Sequence, residues 1–335
     1  ATPGHPRGTR ARREGVRVGL GRATISDSKV IVRVPATAAN LGSGFDCLGM
    51  ALGLYNVVTV EATRSRLTVR IIDEGEDILP HGVERQVLQA MRAVFRRVGK
   101  RLTGLSLELQ NAIPLARGLG SSAAATVAGL VAANSLCGDA LSRDQILTLA
   151  IQLEGHPDNV APALLGGMVV VVQETGRVLC AQVPVPAGLK AALFVPDFAM
   201  LTKEARRVLP RRVERADAVY NIGRAALLVA ALAQGRLELL DVATRDRLHQ
   251  PYREALFPAM PRLFGAAREA GALGVFLSGA GSTVLALCQE DAEGVTQAMA
   301  AAAREAGIGG RPLVIPLSLQ GAEITLVRPN MAGPA

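Results

Sequence analysis

Apolar residues along this chain recur either at every second position or at every third to fourth position. Strict alternation predicts strands, because successive side chains of a strand point to opposite faces. It occurs at residues 66–72 and 105–110, strands are also predicted at 29–34 and 52–61, and we predict that 66–72 is the hairpin partner of 52–61. Helical spacing at 84–98 places its apolar residues on one face.

The rest of the first half joins helices and one strand through polar turns. Small and apolar residues at 121–137 predict a buried helix, and a second helix spans 142–154 with Ser142 as its N-cap. A continuous apolar run at 166–172 predicts a buried strand. Prolines and a glycine at 183–188 give the strongest linker signal in the chain, so we place a domain boundary there.

The second half contains a longer series of helices between its strands. A strand is predicted at 191–195, and two apolar strands flank a glycine-rich turn at 279–282. Its other predicted elements are helices at 203–209, 213–233, 236–247, 260–270 and 292–306, with a final strand at 311–319 or 324–327. The irregular alternation of strands and helices predicts an α+β fold. We assign residues 29–183 to an N-terminal domain and 189–328 to a C-terminal domain.

Composition and charge limit the classes of partner. The 335 residues are 49% hydrophobic and 20% charged, which is typical of a protein with a full core. The net charge is +8, and residues 1–30 hold seven Arg or Lys against two acids, which gives +5. We therefore predict a basic disordered extension at 1–28. Aromatic residues are only 3%, which disfavours stacking platforms for nucleic acids.

The cysteines and the apolar runs indicate the compartment. The four cysteines lie far apart and have no metal-ligand spacing: Cys47, Cys137, Cys180 and Cys288. This usage favours a reducing cytoplasm. No apolar run reaches spanning length without interruption, and the N-terminal region has no apolar core of a secretory signal. We therefore expect a cytoplasmic protein with no membrane partner.

The stretch PLARGLGSSAAAT at 114–126 connects a predicted strand to the start of a predicted helix. Such a junction suits an anion, because free backbone N–H groups converge there and the helix dipole adds partial positive charge. Gly118 and Gly120 allow a tight turn and close approach to a phosphate. Ser121 and Ser122 can cap the helix. An ordinary loop before a capped helix would give the same pattern.

Two other phosphate motifs fit less well. A Walker A motif is absent, because the Gly99-Lys100 pair is followed by Arg101. The dinucleotide fingerprint GxGxxA matches residues 118–123, but its ribose-binding acid would be Asp139. That residue lies between two predicted helices rather than at the end of a second strand. We therefore disfavour a dinucleotide site.

Three stretches, at 40–46, 114–126 and 279–282, occur in an order that resembles the GHMP family of small-molecule kinases. Further stretches are similar to the homoserine kinases within that family: VPATAANLGSGFDCLG at 34–49, EGHPDNVAP at 154–162 and TKEAR at 202–206. The resemblance covers nearly the whole chain beyond the basic extension. We expect 35–46 to form a loop.

The resemblance implies a two-domain GHMP kinase fold, with a ribosomal-S5-like N-terminal domain and a ferredoxin-like C-terminal domain. It implies ATP-dependent phosphorylation of L-homoserine to O-phospho-L-homoserine in threonine biosynthesis, and family members are often homodimers. One alternative is a GHMP kinase for another small alcohol, such as an isoprenoid precursor. Another is a nucleic-acid-binding protein, which the near-neutral body of the chain disfavours.

The resemblance also implies the residues that bind ATP and Mg²⁺. The ATP phosphates would contact Pro114, Leu115, Ala116, Arg117, Gly118, Leu119, Gly120, Ser121, Ser122, Ala123 and Ala124. Mg²⁺ would bind Ser122 and Glu154, because a hydroxyl and a carboxylate completed by phosphates and waters suit its octahedral coordination. We expect His156 to be structural rather than catalytic, with Asp158 and Asn159 as scaffolding beside the site.

The substrate residues follow from the three functional groups of L-homoserine. The resemblance implies that Asp46 binds the ammonium and that Asn40 orients the hydroxyl. Arg206 and Arg253 would bind the carboxylate, because a guanidinium can grip it with two hydrogen bonds. Thr202 would also contact the substrate, and Asn40 and Arg206 would be the catalytic residues. An Asx turn is the alternative for Asn40 and Asp46.

The chain departs from the family pattern at two places. Gln250 precedes the proline of QPYR, where the family usually has an acid, and this weakens the assignment of Arg253. Residues 83–86 stand where the family often has an asparagine near the adenine. The sequence therefore does not assign the partners of the base.

Overall fold

The computed structural model describes residues 28–63, 67–74, 82–101 and 104–329. Apart from Ser28, the predicted basic extension lies outside these residues. The strands are β1 (Ser28–Ala39), β2 (Leu48–Thr63), β3 (Thr68–Asp73), β4 (Gly104–Asn111), β5 (Met168–Glu174), β6 (Arg177–Val183), β7 (Lys190–Pro196), β8 (Gly274–Leu277), β9 (Val284–Cys288), β10 (Gly310–Pro316) and β11 (Glu323–Pro329). Of the two alternatives for the final strand, 324–327 lies within β11, and 311–319 lies on β10 only as far as Pro316.

Most predicted helices are present with shifted ends. The helices are α1 (Val83–Arg97), α2 (Ser121–Leu136), α3 (Arg143–Glu154), α4 (Val160–Leu165), α5 (Thr202–Arg207), α6 (Arg215–Gln234), α7 (Leu240–Ala243), α8 (Gln250–Arg253), α9 (Met260–Glu269) and α10 (Ala292–Glu305). Of these, the short helices α4 and α8 were not predicted. Ser142 caps α3 as predicted, in a capping box with Gln145. The predicted helix at 236–247 is only a 3-10 turn followed by the single turn of α7.

The first sheet has the order β11-β1-β2-β4-β3, and β5 and β6 extend it from β2. β3 is parallel to β4, and β4 is antiparallel to β2. The predicted hairpin of 66–72 with 52–61 is therefore wrong, because β4 lies between the two strands. Alternation shows that a strand has one buried face, but it does not identify the neighbouring strand.

β1 is longer than the strand predicted at 29–34. Its last residues, including Thr37 and Ala38, are fully buried and pair with β2 as far as Ala39 opposite Gly49. The predicted loop at 35–46 is therefore partly wrong. A strand buried on both faces needs no polar face, so it shows no alternation. Only residues 40–46 leave the sheet, and we call them the 40–46 loop.

The second sheet has the order β10-β7-β9-β8, with all three pairings antiparallel. Along the chain its elements follow a β-α-β-β-α-β sequence in which several helices separate β7 from β8 and α10 separates β9 from β10. This is the ferredoxin-like arrangement, and it confirms the fold predicted for the second half. Residues of α9 and α10 pack on this sheet in a core of their own.

The last strand returns to the first sheet. β11 pairs antiparallel with β1, so that Val30 lies opposite Val327. An ion pair between Arg33 and Glu323, 2.8 Å apart, joins the same two strands. The predicted range 189–328 therefore does not coincide with the second sheet, because its final strand completes the first.

α2 is the central helix of the first half and is packed very closely. Most of its residues are buried, and alanine is the most frequent residue among them. Its contact with α1 is so close that a Cβ added at Gly129 would lie 2.5 Å from the carbonyl oxygen of Val87. The small side chains thus set the distance between the two helices.

This packing predicts opposite effects of the same substitution at two helical glycines. Gly129→Ala should lower the free energy of unfolding by about 1–3 kcal/mol, because the new methyl group meets backbone that cannot move freely. Gly223→Ala, inside α6 with no atom within 4 Å of the new Cβ, should raise it by up to about 1 kcal/mol. Urea unfolding of both variants tests this. Equal shifts at the two positions would contradict the close packing of α2 on α1.

α6 is the most exposed long helix of the structure. Among the described residues, it is the one helix that is long and apolar enough to cross a membrane by length and composition alone. Val219 and Ile222 on it are 63% and 69% exposed. Its buried Asn221 donates hydrogen bonds to the carbonyl oxygen of Ser43 and to Asp246, which attaches the helix to the 40–46 loop.

Candidate active site

The phosphate loop, residues 114–124, leaves β4 and ends in the first turn of α2. Gly118 and Gly120 have φ values of +75° and +71°, in the left-handed region that favours glycine. A Cβ on Gly118 would lie 2.1 Å from the carbonyl oxygen of Ser278, and one on Gly120 would lie 1.9 Å from Oγ1 of Thr37. Both positions therefore require glycine, and the loop lies directly against the second half of the chain.

The N-terminus of α2 is open towards a ligand. Gly120 is the N-cap and provides no side-chain cap, so the predicted capping by Ser121 or Ser122 is wrong. Ser121 Oγ is buried and has no hydrogen-bond partner within the structure. A buried hydroxyl without a partner costs free energy. A phosphate oxygen at this helix terminus would satisfy it together with the free N–H groups.

A cavity of about 590 Å³ lies in front of the phosphate loop. Residues 114–123 line it, together with Glu154, Thr202 and residues 279–281, whereas Ala124 is fully buried within α2. Residues 82–83 and other residues of α1 also line the cavity, in the region where the sequence assigns no adenine partners. The volume is in the range of small-molecule sites.

The side chain of Arg117 fastens the phosphate loop to the second sheet. It donates hydrogen bonds to the carbonyl oxygens of Leu115 at 3.0 Å, of Pro196 at 2.8 Å, and of Asp197. Ser278 Oγ donates a further bond to the carbonyl oxygen of Gly118 at 2.7 Å. The position of the loop therefore depends on both sheets.

Glu154 lies beside the first two turns of α2. Its Oε2 accepts a hydrogen bond from Ser122 Oγ at 2.7 Å, and its Oε1 accepts one from Thr126 Oγ1 at 2.5 Å. Gln86 Nε2 donates to Ser122 Oγ at 2.8 Å. Within the described part of the chain, no group of three or more His, Cys, Asp or Glu is arranged to hold a metal. Ser122 and Glu154 fit a Mg²⁺ ion whose other ligands are phosphate and water oxygens.

The other predicted substrate residues form a charged cluster, which we define as Asn40, Asp46, Arg206 and Arg253. Asp46 and Arg206 make a two-fold ion pair, with distances of 2.9 Å and 2.6 Å. The hydrogen bond with Asp46 raises the pKa of Arg206. The two groups, predicted to bind opposite ends of one substrate, here bind each other.

Arg253 is only 2% exposed and makes no ion pair with any described acid. It donates hydrogen bonds to the carbonyl oxygen of Gly279 at 2.8 Å, to that of Ala205 at 3.3 Å, and to Nδ1 of His249 at 3.1 Å. Burial, reinforced by Arg206, lowers the pKa of Arg253 to about 10, so it stays charged at neutral pH. A buried cation whose partners are all neutral is suited to an incoming anion.

Asn40 is buried and already engaged by the protein. Its Nδ2 donates to the carbonyl oxygen of Gly279 at 2.9 Å, and its Oδ1 accepts from the backbone N–H of Asp46 at 3.0 Å. Asn40 and Asp46 have φ values of +68° and +58°, which Asn and Asp tolerate better than most residues. Neither bond is an Asx turn, in which the side chain accepts from the backbone N–H two residues further on. The two bonds make Asn40 a link between the 40–46 loop and Gly279.

Thr202 starts α5 on the wall of the cavity, and Arg206 follows one turn later. The charged cluster does not line the cavity but adjoins it through Gly279, whose carbonyl oxygen both Asn40 and Arg253 contact. The structure therefore brings the predicted residues into two adjacent groups, one around the phosphate loop and one around the ion pair.

Sequence reasoning missed Thr126, Gln86 and His249. Thr126 follows Ser122 by one helical turn, and this i, i+4 spacing is a signal that could have found it. His249 precedes Arg253 by the same interval. Gln86 stands where the family resemblance leads one to expect an asparagine, and the sequence carries no signal for its bond to Ser122.

His156 has the scaffolding contact expected for it. Its Nδ1 lies 3.2 Å from Oδ1 of Asp158, which is 3% exposed, and this hydrogen bond raises the pKa of His156. Asn159 Oδ1 accepts a hydrogen bond from Thr37 Oγ1 at 2.8 Å beneath the phosphate loop. Both contacts stabilise the turn between α3 and α4 beside the cavity.

Comparisons with known proteins agree with this architecture. Residues 85–167 match the GHMP kinases N terminal domain, and residues 228–305 match the GHMP kinases C terminal domain. A homoserine kinase of Moorella thermoacetica is 49% identical over 83% of this chain and 94% of its own length. One of Desulfitobacterium hafniense is 45% identical over 88% of this chain and 99% of its own length.

A solved structure extends the similarity to three dimensions. The crystal structure of homoserine kinase from Cytophaga hutchinsonii has a TM-score of 0.80 at 33% identity, and the match covers 88% of this chain and 97% of that one. The two-domain α+β fold and the glycine-rich phosphate loop are those of a GHMP kinase. The chain accordingly belongs, within the GHMP kinases, to the homoserine kinase family.

Proposed function

We propose that this protein transfers the γ-phosphoryl group of ATP to the hydroxyl of L-homoserine and so makes O-phospho-L-homoserine for threonine biosynthesis. The observation that carries the proposal is the Asp46–Arg206 ion pair beside the phosphate loop. Homoserine kinases that are 42–49% identical to this chain support the same substrate.

The ion pair offers one anionic and one cationic group to a zwitterionic substrate. An α-amino acid can replace both of its contacts at once, with its ammonium on Asp46 and its carboxylate on Arg206. Arg253 would supply a second cation for the carboxylate, because it is buried without an anionic partner. A substrate with a single charge would leave one member of the pair uncompensated, and this favours an amino acid over an isoprenoid alcohol.

The reaction joins the homoserine oxygen to the γ-phosphorus, breaks the bond to the β-phosphate oxygen and releases the hydroxyl proton. The transition state of phosphoryl transfer is loose, so little proton removal is needed early. Positioning and charge neutralisation then supply most of the catalysis. Asn40 would contribute by fixing the 40–46 loop, and its remaining hydrogen-bonding capacity would orient the hydroxyl.

Ser122 and Glu154 would hold Mg²⁺ against the ATP phosphates. The ion would neutralise the charge of the β- and γ-phosphate oxygens. The N-terminus of α2, the unpaired Ser121 Oγ and the glycines of the phosphate loop support phosphate binding at this place.

A coupled assay of ADP release tests the substrate directly. We expect turnover with L-homoserine and ATP, and ADP release at the level of the substrate-free reaction with mevalonate. Turnover with mevalonate but not with homoserine would favour a kinase for another small alcohol. ADP release that no small alcohol increases would exclude both. A cytoplasmic location and a homodimer stay predictions, and light scattering of the purified protein tests the second.

A further inference from the structure

His249 lies at the centre of the charged cluster and is completely buried. Its ring stacks on Phe45 with a centroid distance of 5.1 Å and an interplanar angle of 25°. The guanidinium groups of Arg206 and Arg253 approach the same Phe45 ring to 5.6 Å and 5.7 Å. His249 thus contacts both the 40–46 loop and the second cation of the cluster.

Both ring nitrogens of His249 have a defined partner. Nδ1 lies 3.1 Å from NH1 of Arg253, and Nε2 lies 2.7 Å from the carbonyl oxygen of Gly42 and 3.5 Å from Oδ2 of the buried Asp246. A guanidinium only donates, so Nδ1 must be the acceptor, and a carbonyl only accepts, so Nε2 must carry the proton. The two contacts together require the neutral ring protonated at Nε2.

The surroundings stabilise the neutral form. Complete burial lowers the pKa of His249 to about 4, and Arg253 acts in the same direction, although Asp246 opposes it. The Asp246 carboxylate caps the start of α8 by accepting hydrogen bonds from the backbone N–H groups of residues 248–250. It therefore holds the backbone on which His249 sits.

Arg253 has few other restraints in this position. Its remaining hydrogen bonds are to the carbonyl oxygens of Gly279 and Ala205, and its guanidinium also faces the Phe45 ring. NH1 donates to both His249 and Gly279. Without the acceptor at Nδ1, the guanidinium of Arg253 would lose one of the hydrogen bonds that orient it, and it has no ion pair with an acid that could replace this bond. The carboxylate end of an amino acid substrate would then meet a cation of less defined position.

We propose that His249 is a positioning residue for the substrate: through Nδ1 it orients Arg253 towards the substrate carboxylate, and through Nε2 it fixes that cation relative to the 40–46 loop. This inference rests on the proposed homoserine kinase activity. It predicts that His249 affects the affinity for the amino acid far more than the affinity for ATP, whose phosphate loop it does not contact.

Three substitutions separate the two contacts. The amide oxygen of asparagine can take the place of Nδ1, and the amide nitrogen of glutamine can take the place of Nε2. His249→Asn should therefore keep the KM for homoserine within about threefold of the wild type. His249→Gln and His249→Leu should raise it at least about tenfold. The KM for ATP should change less than about twofold in all three.

The control is Asn134→Leu, which removes another buried amide, one bonded to the backbone of Leu141 far from the cluster. It should lower the melting temperature without changing the KM for homoserine. Equal homoserine KM values for His249→Asn and His249→Gln would overturn the proposal, as would an equal rise of both KM values. If His249→Leu does not fold, the asparagine–glutamine comparison decides alone. A wild-type protein without homoserine turnover would instead refute the proposed function.

Discussion

Glu154→Gln should lower kcat by at least about 100-fold at a fixed Mg²⁺ concentration, with the KM for homoserine within about threefold. The substitution keeps the size of the side chain, but it removes the negative charge and leaves one acceptor oxygen for the hydroxyls of Ser122 and Thr126, where the carboxylate offers two. A neutral amide is a weak ligand for Mg²⁺, and the lost charge stabilisation amounts to several kcal/mol.

The measurement is the dependence of the rate on Mg²⁺ concentration at saturating ATP and homoserine. For Glu154→Gln the half-saturating Mg²⁺ concentration should rise as kcat falls, and Ser122→Ala should shift it in the same direction by less. Glu174→Gln, on an exposed residue of β5, is the control and should leave the titration unchanged. An unaltered titration in Glu154→Gln would remove this carboxylate from the metal site.

Arg206→Met should reduce kcat/KM for homoserine by about 100- to 1,000-fold, because the substrate carboxylate loses a charged hydrogen-bonding partner. Asp46→Asn should have a similar effect through the ammonium. Both side chains are more than one third exposed, so their ion pair contributes only about 0–1 kcal/mol to stability. The loss of activity should therefore occur without a large change in melting temperature.

Substrates that carry only one of the two charges test the contacts of Asp46 and Arg206 separately. 4-Hydroxybutanoate lacks the ammonium of homoserine, so the ratio of its kcat/KM to that of homoserine should rise in Asp46→Asn. 3-Aminopropan-1-ol lacks the carboxylate, so the ratio of its kcat/KM to that of homoserine should rise in Arg206→Met. Arg207→Met removes a neighbouring exposed cation on α5 and should behave as the wild type. If Arg207→Met lost as much activity as Arg206→Met, general electrostatic attraction would explain the effect and the ion pair would have no special role.

The sequence predicted the parts of the fold whose signal is local. Helical spacing placed α1, the small apolar residues after Gly120 indicated the buried helix α2, and Ser142 marked the start of α3. The pairing of β3 with β4 and the return of β11 to β1 were missed, because strand neighbours are set by contacts between residues far apart in sequence.

In the candidate site, too, local features could be predicted and contacts between distant residues could not. The glycines of the phosphate loop could be recognised because their left-handed backbone restricts the residue type. The pairing of Asp46 with Arg206 across 160 residues could not, because no local pattern encodes it. His249 could not be distinguished from an ordinary core histidine, since its role depends on contacts with Gly42 and Phe45 of the 40–46 loop, which is far away in sequence, as well as with Arg253.

The return of β11 to β1 also affects how the protein is made. β1 lies between β2 and β11, and Arg33 pairs with Glu323 across 290 residues. During synthesis, one edge of β1 has no native neighbour until almost the whole chain has left the ribosome. Contacts of such long separation form slowly, and an open strand edge invites association with other chains. The first sheet is therefore completed only after β11 has been translated.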